Sequence, residues 1–183
     1  MSDTDWPSAR ARIRHAVVEL LKARVPAVRR RVYRGRSWPL QERELPALLV
    51  YARQEDKKAP AGAGTAVTSY AVELTLAVEI RVAEASRAGE QAEAVEDELE
   101  ALAGAVTDAV MQAPELLGRT GLIERIEGVR TTFGVHGRDA EQTLGRALVA
   151  FDLRFSERYR LLPPPIVCDE PTLTFAPRFD AAP

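Results

Sequence analysis

The chain has 183 residues, 46% apolar and 28% charged, with a formal net charge of −2 and a single cysteine, Cys168. That composition fits a globular domain able to bury roughly 70% of its unfolded surface, and its near-neutral balance argues against a dedicated nucleic-acid binder. One cysteine excludes an intrachain disulfide and points to a reducing compartment. No run approaches the ~20 apolar residues of a membrane helix, and the opening MSDTDWPSAR lacks the basic-then-apolar order of a signal peptide.

Charge is unevenly placed. Residues 1–45 hold eleven basic against five acidic side chains, a net +6, whereas residues 84–100 hold seven acids against Arg87, a net −6. Such a chain can pair with copies of itself as readily as with a foreign polyanion.

The first element is a helix. Ser8 is a fitting N-cap, Ile13, Val17, Leu20 and Leu21 share one face, and Pro26 stops the run. Five arginines follow, Arg29, Arg30, Arg31, Arg34 and Arg36, with Val32 and Tyr33 as a short extended piece and Trp38 in the loop beyond. Residues 47–53 (ALLVYAR) form a short apolar run bounded by breakers, a strand buried on both faces. The segment from Gln54 to Thr68, opening with Gln54, Glu55, Asp56, Lys57 and Lys58 and passing into AGAG, reads as a long mobile hairpin loop.

The cleanest signal is residues 70–82. Tyr70, Val72, Leu74, Leu76, Val78, Ile80 and Val82 alternate with Ala71, Glu73, Thr75, Ala77, Glu79 and Arg81, the period of a strand with one face on a core. Its roughly 40 Å length suggests that it protrudes or bends. Glu90 to Met111 then carries Val95, Leu99, Leu102, Val106 and Val110 at helical spacing, with Glu93, Glu96 and Glu100 on other faces and Pro114 beyond the end. Ile123–Phe133 alternates loosely, Gly134, Gly137, Arg138 and Asp139 mark a turn, and Ala147, Val149, Phe151, Leu153 and Phe155 define a closing strand.

The order α-β-β-β-α-β-β with hairpin-like connections predicts an α+β fold: a mostly antiparallel sheet of four to five strands with two main helices on one face. Residues 1–160 form one domain. The proline-rich segment 161–183 is a tail, either disordered or draped on a neighbour.

Catalytic patterns are missing. His15 and His136 lack a nucleophile or carboxylate at a recognisable spacing, metal-ligand spacings are absent, and GAG at 62–64 is not followed by the Lys-Ser/Thr of a phosphate loop. Neither a cofactor nor a metal is expected, and Cys168 reads as a bystander thiol. The arginine cluster admits three readings: a solvated surface, a protein interface built on bidentate carboxylate pairs, or a phosphate contact. Tyr33, Trp38 and Tyr51 do not form a base-stacking series.

The sequence VYRGRSWPLQERELPALLVYARQED, the strand YAVELTLAVEIRV, the acidic helix ending MQAPELL and the closing strand ALVAFDLRFSERYR, in that order, resemble the tail terminator (minor tail) family of long-tailed bacteriophages and phage-derived particles over roughly residues 9–160. The proline-rich end departs from the compact family pattern. The resemblance implies a non-enzymatic structural subunit of the virion tail, assembled in the host bacterial cytoplasm into a ring, typically a hexamer. Such a ring sits on the last ring of tail-tube protein, stops tube polymerisation and offers the surface that joins the head-completion protein, with DNA passing through its lumen and no membrane involved. On that expectation Arg29, Arg30, Arg31, Arg34, Arg36 and Trp38 meet Glu93, Glu96 and Glu100 across the subunit boundary or face the lumen, and Gln54–Lys58 contact the tube. The rival readings are another head–tail joining or tail-completion protein, and a nucleic-acid binder using the arginine cluster.

Overall fold

The computed structural model describes residues 8–35, 41–60, 69–85, 91–117, 121–138 and 142–159. They form two helices on one face of a five-stranded, mostly antiparallel sheet, the expected α+β fold.

Helix α1 spans Ala9–Arg24. The Ser8 hydroxyl accepts from the Ala11 amide at 3.3 Å, satisfying one of the free N–H groups of the first turn. Ile13, Val17, Val18, Leu20 and Leu21 are buried, and the helix ends where Pro26 opens a 3₁₀ turn, Pro26–Val28. Strand β1, Val32–Arg34, is followed by β2, Ala47–Lys58, and β3, Ser69–Ala85. Helix α2 spans Gln91–Met111. Strands β4, Arg125–Arg138, and β5, Gln142–Arg158, complete the chain order.

The sheet order is β1-β2-β3-β5-β4, with β1 parallel to β2 and the other pairs antiparallel. α1 lies on β1 and β2, α2 on β3, β5 and β4, and the helices touch each other. The core lies between the layers. Leu48, Val50, Val72, Leu74, Leu76, Val78 and Ile80 meet Val149, Phe151, Leu153 and Phe155 beneath Ile13, Val17, Leu21, Val95, Leu99, Val106 and Val110. Each such side chain contributes about 1.5–3 kcal/mol on burial. A one-residue slip of β3 would exchange the whole apolar row for Glu73, Thr75, Glu79 and Arg81, which fixes the register.

Three expectations are corrected. Gln54–Lys58 are strand, not loop: β2 runs on past a bulge at Arg53 and pairs residue by residue with Thr75, Leu74, Glu73, Val72 and Ala71. Its charges suit an outer position, where no further strand lies beyond. The turn expected at Gly134–Asp139 is strand as far as Arg138, because β5 begins at Gln142 and supplies partners for every residue from Gly134 on. β3 does not protrude. All its residues from Ser69 to Ala85 pair with β5. The burial of 47–53 on both faces holds for Ala47–Val50 and then fades to exposed Arg53. Residues 61–68, Arg36, Trp38, Asp139 and the proline-rich segment lie outside the described residues.

Candidate functional site

The arginine cluster sits on a tight turn at one edge of the sheet. After the 3₁₀ turn, Arg29 and Arg30 both adopt left-handed backbone (φ 47° and 68°), a conformation that costs a non-glycine residue of order 1 kcal/mol and concentrates at functional positions. The turn closes with Arg29 N–H on Pro26 O at 2.9 Å and Arg31 N–H on Val28 O at 2.8 Å. Arg31 is half-buried, and its guanidinium serves its own loop, donating from Nε to Val28 O at 3.1 Å and from Nη1 to Arg43 O at 3.4 Å. Arg29 and Arg30 are exposed on the turn. Among the described residues neither makes an ion pair, although the charge of Arg30 acts at longer range on Glu19. The Glu19 carboxyl is held below its ordinary value, first by its hydrogen bond from Lys22. Arg34 is exposed at the end of β1.

Glu93, Glu96 and Glu100 occupy the outer surface of the first half of α2. They and Asp97 are exposed, and among the described residues none of the four has a cationic partner. α2 packs over β3, β5 and the edge strand β4, whereas the arginine turn leads into the opposite edge strand β1. The arginine turn therefore sits at the β1 edge, and the acidic half of α2 on the β3–β5–β4 side of the sheet. Phe133 lies on the edge strand of that side. It pairs with core residue Ala147, so it points to the helix side, yet it remains 45% exposed on the edge strand.

The residues expected to touch a tube from a loop are instead locked in β2. Glu55 and Lys57 point to the helix side, and Gln54, Asp56 and Lys58 to the opposite face. Lys57 Nζ lies 2.9 Å from Glu55 Oε1 and 2.5 Å from Glu157 Oε2, and hydrogen-bonds the Tyr159 hydroxyl. Tyr159 stacks edge-on to Tyr70 at 5.6 Å, and Arg10 of α1 reaches Glu55 at 3.5 Å. Glu157, then Tyr159 and Glu55, hold the Lys57 ammonium well above its ordinary 10.5. Burial pushes the Glu157 carboxyl up, but the hydrogen bonds from Lys57 and Tyr159 outweigh it, and the carboxyl stays below its ordinary 4.5. Lys58 Nζ meets Glu73 at 2.8 Å on the other face.

That other face, uncovered by either helix, carries an arrangement that alternation alone does not reveal. Glu79 is 2% exposed. Arg81 Nε reaches its Oε1 at 2.7 Å, while Arg146 reaches Oε1 from Nε at 3.1 Å and Oε2 from Nη2 at 3.2 Å. Further along the strands, Arg130 forks onto Asp152 (2.6 and 3.1 Å), and Arg125 and Arg154 share Glu127. The i, i+2 spacing of Glu79 and Arg81 was visible in the sequence; the burial of Glu79 was not.

Among the described residues no three His, Cys, Asp or Glu side chains are placed to hold a metal ion, and no helix is long and apolar enough to cross a membrane. No family model matches the chain, and neither does any curated protein sequence.

Proposed function

We propose that this chain is a structural subunit of a phage or phage-like tail, one that assembles head to tail into a ring capping the tail tube, ends tube polymerisation and offers the head-joining surface. The reading rests on the order and pattern of elements that resemble the tail terminator family, and one observation carries it further. Arg29 and Arg30 at the β1 edge, and Glu93, Glu96 and Glu100 on α2, none with an oppositely charged partner among the described residues, are two different, oppositely charged surfaces of one subunit. Head-to-tail closure needs that arrangement.

Charges exposed at a rim set register and association rate more than affinity. Apolar contact must supply the rest, and Phe133 beside the acidic flank is the exposed aromatic placed to do so. Arg31, turned into its own loop, acts by holding the turn that presents Arg29 and Arg30. Gln54–Lys58 would meet a tube as a rigid strand end.

The deciding experiment is the native mass of the full chain, alone and with its tail-tube protein, followed by imaging. Annular particles containing this chain are expected at the tube end. A chain that stays monomeric with the tube protein present, and leaves tube length unlimited, removes the proposal.

A further inference from the structure

We infer that Arg81 and Arg146, clamped by Glu79 on the face of the sheet opposite the helices, form a seat for a single compact oxyanion, a phosphate group. This goes beyond ring assembly and does not depend on it.

The two arginines are direct cross-strand partners in the register of β3 and β5. Like charges placed opposite one another repel, and the single carboxylate between them neutralises only one of the two. The cluster thus keeps one net positive charge. Glu79 is nearly fully buried, so it fixes both guanidinium planes rather than merely screening them. A buried carboxylate held by ion pairs gives up stability relative to apolar packing, and β3 carries only Val, Leu and Ile on its other face from Val72 to Val82.

The geometry leaves donors over. Arg81 engages Glu79 through Nε alone, and Arg146 through Nε and Nη2. The two terminal nitrogens of Arg81 and Nη1 of Arg146 are not used by Glu79, and the side chains are 40% and 54% exposed. Their neighbours in the same cross-strand row are small, Ala47 beside Arg81 and Gly134 beside Arg146. Paired, pre-oriented guanidinium forks suit phosphate geometry better than a mobile ammonium does.

The same face favours one compact anion. Further along the strands the cations already have carboxylate partners, Lys58 with Glu73, Arg130 with Asp152, and Arg125 and Arg154 with Glu127. Among these described clusters the surplus positive charge is local to Arg81 and Arg146.

The test follows the Nε–Hε resonances of Arg81 and Arg146 in the full chain while inorganic phosphate is titrated at constant ionic strength, with chloride as the control anion. A saturable shift of both resonances with phosphate, and none with chloride, is expected. Arg146→Lys, which keeps the charge and removes the fork, should weaken binding about tenfold or more, and Arg81→Lys should do the same should the first variant fail to fold. Arg130→Ala, on the same face beside Asp152, should leave binding unchanged. A linear shift equal for both anions overturns the inference. So does tighter, steeply salt-dependent binding of a short DNA duplex, which would make the seat part of a nucleic-acid path.

Discussion

Gly145 of β5 lies directly beneath Val95 of α2: a Cβ added to the glycine would sit 2.4 Å from Val95 Cγ1 and 2.8 Å from Leu99 Cδ1. The missing side chain lets the first half of α2 settle onto the sheet, and that half carries Glu93, Glu96 and Glu100. Gly145→Ala should therefore lift the helix or strain the two side chains, destabilising the fold by about 1–3 kcal/mol. Urea unfolding monitored by circular dichroism measures it, and an unchanged midpoint would show that α2 tolerates the shift. Gly104, with open space around its Cβ position, is the contrasting site. There Gly→Ala should stabilise by up to about 1 kcal/mol through helix propensity.

Removing Glu79 alone leaves two guanidinium groups opposed with no carboxylate between them. Glu79→Gln is expected to destabilise by about 1–3 kcal/mol, the scale of hydrogen bonds to a charged group, because the two guanidinium groups left behind keep solvent contact. Replacing all three of Glu79, Arg81 and Arg146 with Leu should recover most of that loss while abolishing any phosphate response. Chemical denaturation of the single and triple variants distinguishes a cluster kept for stability from one kept for a ligand. A triple variant less stable than Glu79→Gln would favour the former.

The Lys57–Glu157–Tyr159 network sets both limbs of a pH profile. Glu157 is held below its ordinary 4.5 in the folded chain, so its contribution is present above that value and is lost as pH falls through the depressed folded value. Lys57 is held above its ordinary 10.5, so its contribution is present below 10.5 and is lost as pH rises past it. Glu157→Gln should lower thermal stability where both groups are charged and flatten the acid limb, and Lys57→Met should do the same for the alkaline limb, each variant converging on the parent at the pH where its group is already neutral. Both side chains keep some solvent contact, so each effect should shrink as salt is added.

Much of this fold is legible from local pattern. Tyr70–Val82 alternates because one face of β3 meets the helices and the other does not, and Val95, Leu99, Val106 and Val110 repeat at helical spacing for the same reason. Gln54–Lys58 gave no such signal. Beyond Arg53 neither face of β2 is apolar, and the strand exists because β3 offers a backbone ladder brought in from elsewhere in the chain. Glu79 misleads in the opposite sense: a carboxylate in an alternating strand reads as solvated, and only the cross-strand arrival of Arg146 makes its burial tolerable. Of the charged flanks, the identity of the residues was readable but their presentation was not. That Arg31 turns inward while Arg29 and Arg30 face out depends on two left-handed residues with no glycine to announce them.

Those two residues allow assembly and folding to be separated. Arg30 holds φ at 68° without being glycine, so Arg30→Gly should leave the turn intact and stabilise the monomer by a few tenths to about 1 kcal/mol. If Arg30 is kept for its charge, the same variant should weaken ring formation. Stability up and assembly down in one substitution is a combination that a merely structural arginine would not produce. Arg29→Glu with Arg30→Glu should abolish rings at low salt, and adding Glu96→Arg and Glu100→Arg should restore them, because the charge pattern is then inverted but still complementary. Phe133→Asp should weaken rings with the fold unchanged. Native mass and thermal unfolding on the same samples read both quantities. Rings that survive the double Arg→Glu change at low salt would remove the charged surfaces from the interface, and the joining surfaces would then have to be sought on the face of the sheet opposite the helices.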